Sequence, residues 1–190
     1  MECAKYDDKI CYQGKNCIQI KDEIVNLYSK KEYQKLAKVA SEIEAKYYMK
    51  LTRLGELIRF CQNMNFKHLG IAFCIGLSRK VQVFEKLLTK YFKVSSVCCK
   101  ICGIGKERFD LAKITENRTE AMCNPIGQTK ILNEEKTDLN IIFGLCIGHD
   151  ILFTEHSYAP VTTFGVKDRV LAHNPICAIY SGYYQEGNLL

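Results

Sequence analysis

The sequence predicts an α/β fold: a three-layer sandwich on a mainly parallel sheet of about four strands, preceded by a helical, cysteine-bearing amino-terminal segment. Three observations predict it. Short apolar runs without polar alternation read as strands buried on both faces. An amphipathic stretch lies between the first two runs, completing a strand–helix–strand unit, which requires a parallel pair with a right-handed crossover. Twice an Asn-Pro step marks a helix start, at Asn124-Pro125 and at Asn174-Pro175.

In chain order, residues 1–19 are polar and cysteine-marked, without usable periodicity, and are expected to form a segment apart from a single α/β domain over residues 20–190. From Asp22 to Met64 the pattern is helical. Tyr33, Leu36, Val39, Ala40, Ile43 and Tyr47 step by three and four, as do Leu54, Leu57, Ile58 and Cys61. Leu69 to Cys74 is the first strand. Ser78 is the expected N-cap of a helix carrying Val81, Phe84, Leu87, Leu88 and Tyr91 on one face. Phe92–Cys98 is the second strand. A helix follows from Pro125 to about Lys136, then strands over Leu139–Leu145 and Val161–Val166, and a last helix over 175–184.

The composition is that of a globular domain, 47% apolar and 25% charged over 190 residues, enough to bury a core. The net charge of +6 is spread along helical faces without a basic run, and the tyrosines and lysines form no stacking platform, so no nucleic-acid surface is indicated. The amino terminus has neither a basic n-region nor an apolar h-region, and the apolar runs are far below the ~20 residues of a membrane span. A cytoplasmic protein with no membrane partner is therefore expected, its thiols reduced. Protein partners are left open.

Eleven cysteines stand out against this background. An odd count argues against a complete disulfide framework. Ligands in open parallel sheets bind outside the carboxyl ends of the strands. Cys74 ends the first strand, Cys98 and Cys99 the second, and Cys146 the third, while Cys123 precedes a helix start, where the helix dipole favours a thiolate. Cys146-Ile-Gly-His149 has a spacing suited to a shared metal, and Lys167, Asp168 and Arg169 follow the fourth strand on the same edge. Soft sulfur donors select zinc or an iron–sulfur cluster. The candidate metal ligands are Cys74, Cys99, Cys102, Cys123, Cys146 and His149, with Cys3, Cys11 and Cys17 as a looser amino-terminal set. Cys99-x2-Cys102 is the one C-x2-C pair, and Cys98 and Cys99 point to opposite faces of an extended segment. An enzyme is the alternative: Cys146 as nucleophilic thiolate, His149 as proton carrier and Lys167 as electrophilic stabiliser. Cys61 and Cys177 read as buried apolar positions, and His68, His156 and His173 as surface or turn residues. The phosphate-binding loop, the dinucleotide fingerprint and the nucleophile elbow are absent.

Several segments carry a family resemblance: Gly70-Ile-Ala-Phe-Cys-Ile-Gly-Leu77, Met122-Cys-Asn-Pro-Ile126, Asp138-Leu-Asn-Ile-Ile-Phe-Gly-Leu-Cys-Ile-Gly-His-Asp150, Ala159-Pro-Val-Thr162 and Lys167-Asp-Arg-Val-Leu-Ala-His-Asn-Pro175. Over about residues 50–185 the chain resembles a family of small proteins from anaerobic bacteria and archaea, labelled metal-binding and of unknown function. The resemblance implies a metal at Cys74, Cys99, Cys123, Cys146, His149 and Asp150, and names neither metal nor reaction. Members tend to carry a C-x2-C near the start, where this chain has Cys3-Ala-Lys-Tyr6.

Overall fold

A computed structural model describes residues 2–5, 7 and 9–187, which divide in sequence between Leu51 and Thr52 into two compact units. The first unit holds two short 3-10 turns, Cys3–Lys5 and Ile10–Gln13, followed by helices α1 (Lys21–Tyr28) and α2 (Lys31–Tyr47). The helical pattern from Asp22 to Met64 is made of three helices, the third of them in the second unit. Ser29 and Lys30 interrupt it first, and Lys30 is extended at ψ 131°. Positive φ at Met49 marks the second interruption. Val39 and Ile43 are the buried residues of α2, on the stripe that the spacing predicts.

The second unit begins with α3 (Arg53–Met64). Thr52 caps it by accepting a hydrogen bond from the Gly55 amide at 3.3 Å, and Asn65 ends it in the left-handed conformation at φ 63°. Four strands follow: β1 (His68–Phe73), β2 (Lys93–Cys98), β3 (Leu139–Phe143) and β4 (Val161–Gly165). They form one parallel sheet in the order β2-β1-β3-β4. α4 (Ser78–Leu88) joins β1 to β2, α5 (Pro125–Glu134) precedes β3, and α6 (His149–His156) joins β3 to β4.

The strand order explains why helices cover both faces. The chain moves outward from β1 to β2, then returns past β1 to β3, and connections of one hand that travel in opposite directions lie on opposite faces. On one face Leu69, Ile71, Leu139, Ile141 and Phe143 pack with Leu57 and Cys61 of α3 and Val81, Phe84 and Leu88 of α4. On the other, Ala72, Cys74, Val97, Cys99 and Ile142 pack with Leu132 of α5 and Phe153 of α6. The predicted α/β three-layer arrangement is present. Each fully buried Leu or Ile contributes about 1.5–3 kcal/mol, so truncating Ile71 or Ile141, in the two central strands, would cost most.

Several local expectations are revised. Ser78 does not cap α4; its hydroxyl donates to the Ile75 carbonyl from within the first turn. β3 stops at Phe143 because Gly144 turns the chain at φ 75°, where a Cβ would meet Leu77 Cδ1 at 2.1 Å. The expected helix over 175–184 is two four-residue turns, α7 (Cys177–Tyr180) and α8 (Gly182–Gln185), split at Ser181. His68 is not a surface residue. It is 8% exposed, and its Nε2 lies 2.8 Å from Ser95 Oγ across the β1/β2 pair. Among the described residues no helix is long and apolar enough to cross a membrane.

Candidate functional site

The order β2-β1-β3-β4 places a topological switch point between β1 and β3, and the crevice beyond their carboxyl ends is where open sheets take ligands. Cys74 follows β1 there and Gly144-Leu145-Cys146 follows β3. Cys99 follows β2 in register. Phe73 pairs with Cys98, and the Cys99 amide donates to the Phe73 carbonyl at 2.8 Å, so Cys74 and Cys99 stand one step further along neighbouring strands. On its other side Cys99 accepts, through its carbonyl, the Asn124 amide at 2.7 Å, which brings Cys123 alongside. Asn124 accepts the Gly127 amide at 2.8 Å and so fixes the start of α5 just after Cys123.

Cys99 stands between Cys74 and Cys123, and the three thiols perturb one another's ionisation. Contact with Cys99, the Gly76 amide and the Lys167 ammonium together hold Cys74 down at about 5 against the opposing effect of burial. Contact with Cys99 likewise holds Cys123 down at about 5, with Lys100 and His149 adding positive charge. Cys99 is pushed the other way, first because its neutral S–H is the form that serves Cys123 and Cys74 as donor, then because burial disfavours its anion, with the charge of Cys123 adding a little. Its Sγ, 1% exposed, additionally accepts the Ile75 amide at 3.4 Å. Cys99 therefore keeps its proton. One S–H can serve only one neighbour at a time, so the other thiolate leans on its cation. Lys167 reaches Cys74 across Gly76, where a Cβ would lie only 3.2 Å from the ammonium. Lys100 is tethered by donating to the Ala121 carbonyl at 2.5 Å.

Cys146 is half-buried, and its Sγ accepts a hydrogen bond from Arg169 Nη2 at 3.1 Å. The Arg169 guanidinium is raised by that thiol and feels Cys74 and Cys123 as well. The amides of His149 and Asp150 both donate to the Cys146 carbonyl, at 2.9 and 3.1 Å, closing the turn into α6. Asp150 lies in the first turn of α6, with its carboxylate accepting the Ile151 amide.

With this geometry in view the relatives can be placed. Residues 12–164 match the family described as a protein of unknown function, DUF1847. The chain belongs to the DUF1847 family. An uncharacterized protein of the archaeon Methanocaldococcus jannaschii is 57% identical over 185 residues, covering 97% of this chain and 96% of that one. No solved structure matches the chain.

Not all the predicted ligands of this DUF1847 protein come together. Strand register and the Asn124 amide bond to the Cys99 carbonyl bring Cys74, Cys99 and Cys123 to neighbouring positions, and Cys146 and His149 bear on them electrostatically. Cys102 is exposed in a left-handed turn at φ 70°, whereas Cys99 is buried, so the C-x2-C pair does not act as a unit. Cys3, Cys11 and Cys17 are all exposed and belong to the first unit. Among the described residues no group of three or more His, Cys, Asp or Glu side chains is arranged to hold a metal ion. The predicted Cys146–His149 partnership is also redrawn: Arg169 holds the Cys146 sulfur, His149 bears electrostatically on Cys123, and Lys167 bears on Cys74. Lys100 was missed as a site residue, although its position directly after Cys99 was a usable signal. Cys61, fully buried and pushed up to about 12 by burial, and by the nearby Asp138 carboxylate, is a core residue as expected.

Proposed function

We propose that the thiols at the sheet switch point bind a soft metal, zinc or an iron–sulfur cluster, through Cys74, Cys99 and Cys123, with Cys146 as the adjacent fourth donor. What supports this is the backbone placement of three cysteines from three chain segments: Cys74 and Cys99 follow paired strands one step beyond the Phe73↔Cys98 register, and the Asn124 amide bond to the Cys99 carbonyl brings Cys123 alongside. Three thiolates in that space repel one another, and a thiophilic cation in place of the Cys99 proton would relieve the repulsion. Lys100, Lys167 and Arg169 would offset the negative charge of a thiolate-rich complex. Binding requires Cys99 to release its proton and turn its sulfur toward a centre shared with its neighbours. When bound, zinc would supply a Lewis acid and a cluster would supply an electron carrier. A reducing cytoplasm is the setting in which so many free thiols persist.

Titration of the reduced protein with Co2+ under anaerobic conditions tests this. Thiolate-to-cobalt charge-transfer absorption should appear stoichiometrically, and should be lost on Cys99→Ser and on Cys123→Ser. Charge-transfer bands that survive both substitutions would place the metal elsewhere.

A second reading has its own support. Cys146 is reachable and paired with a guanidinium, the setting of a nucleophilic thiolate. It calls for alkylation of Cys146 to slow on Arg169→Met. An unchanged rate would remove it.

A further inference from the structure

The same thiols have a geometry that metal binding does not require. Adjacent parallel strands lie ~4.8 Å apart, and a disulfide needs Cα atoms about 4.4–6.8 Å apart with the Cβ vectors converging. Cys74 and Cys99 extend the Phe73↔Cys98 register by one step, so they face each other across that spacing. Their side chains also share a face: Ala72 and Cys74, like Val97 and Cys99, alternate onto the side covered by α5. Cys123 approaches Cys99 from the opposite side, through the Asn124 amide bond to the Cys99 carbonyl. Exposure is greatest at Cys123 and least at the middle thiol. Cys123 is half-buried, Cys99 is 1% exposed and Cys74 is 8% exposed.

From this placement we infer a thiol–disulfide exchange activity toward low-molecular-weight disulfides, in which Cys123 meets the substrate, Cys99 is the shared partner and Cys74 is the inner terminus. In the first step the Cys123 thiolate attacks the substrate S–S bond, forming a mixed disulfide and releasing one substrate thiolate. In the second, the Cys99 sulfur attacks Cys123 Sγ and displaces the second substrate thiolate, which takes up the Cys99 proton. The Cys99–Cys123 bond then passes inward when the Cys74 thiolate attacks Cys99 Sγ and frees Cys123 as thiolate. Over the three steps the substrate disulfide gains two electrons, and Cys74 and Cys99 lose them and end joined as a disulfide. One proton moves from Cys99 to the departing thiol.

This activity is independent of the metal reading, and the test separates them. Reduced, chelator-treated full-length protein is exposed to oxidised glutathione, quenched in acid, alkylated and digested with trypsin. The three cysteines fall on separate peptides, residues 68–79, 94–100 and 119–130. Links of 94–100 to 119–130 and to 68–79 are expected, unchanged in Cys98→Ser and lost in Cys99→Ser, where glutathione should instead accumulate on Cys123. Cys123→Ser should slow the 68–79/94–100 link at least tenfold, because glutathione does not reach the enclosed Cys74 directly. Absence of any link through 94–100, or links that persist in Cys99→Ser, overturns the inference and leaves the Co2+ result untouched. Links formed by protein that binds no Co2+ would sustain it while removing the metal reading.

Discussion

Removing the central thiol is the sharpest perturbation of the site. Cys123 is held at about 5 chiefly by Cys99, against 9.0 for an ordinary thiol. At about pH 7 this makes it nearly all thiolate instead of about 1%, a roughly hundredfold gain, but intrinsic nucleophilicity falls with pKa at a Brønsted slope of about 0.4–0.5. Over the four-unit shift that loss is roughly 40- to 100-fold, so near neutrality the two effects almost cancel. At about pH 5.5 they do not. An ordinary thiol is then about 0.03% ionised and Cys123 about three-quarters, which leaves a net rate advantage of roughly 40-fold toward an aromatic disulfide. Stopped-flow reaction with dithiodipyridine at that pH, with the labelled peptide identified, measures it. Cys99→Ala should reduce the Cys123 rate at least tenfold there while changing it little near neutrality. A wild-type Cys123 no faster than a simple thiol in acid, or one indifferent to Cys99→Ala, would refute the coupling between Cys99 and Cys123.

The thiol pKa shifts also fix the sign of a stability change. Cys74 and Cys123 are lowered on folding, so their contribution is fully present above about 9 and is lost as pH falls through about 5. The Tm of reduced, metal-free protein should therefore rise from pH 5 to pH 8, and Cys74→Ala with Cys123→Ala should flatten that rise in a calorimetric series; an unaltered slope would contradict the shifts. Cys61 has the opposite sign, being raised to about 12, so its contribution erodes as pH climbs above 9.0. Native Cys61 should stay unlabelled by iodoacetamide until the protein unfolds. Gly144→Ala combines a strained positive φ with the contact at Leu77, and should cost about 1–3 kcal/mol, or roughly 2–4 °C of Tm per kcal/mol. A Tm within a degree of wild type would mean the β3 turn is misdescribed. Joint replacement of the exposed Cys3, Cys11 and Cys17 by serine should leave metal content unchanged, and a loss of metal would bring the amino terminus back into the site.

The sheet was legible because β1 and β3 are buried on both faces and so read as unbroken apolar runs, and because Asn124-Pro125 announces α5 with a cap that is then made. The switch point followed from strand order, which no local pattern encodes. That the cysteines at strand ends share one edge of the sheet was legible, since position along a parallel strand determines which edge a residue reaches. Which thiols would touch was not legible. Cys99-x2-Cys102 looks like a pair in sequence, but the left-handed turn at Cys102 carries it to the surface while register brings Cys99 to Cys74. The cationic partners were harder still. Arg169 meets Cys146 across 23 positions, and Lys167 meets Cys74 across a glycine whose role depends on tertiary packing. His68 was misread because its partner, Ser95, lies on the neighbouring strand.

If Cys74, Cys99 and Cys123 act together on a soft metal, elemental analysis and an absorption spectrum of protein purified without oxygen will reveal it. Stoichiometric zinc, or iron and acid-labile sulfide with the broad visible absorption of a cluster, is expected in the wild type and absent from Cys99→Ser. Protein that holds neither metal after anaerobic purification, or that retains its full metal content when all three cysteines are serine, would contradict it.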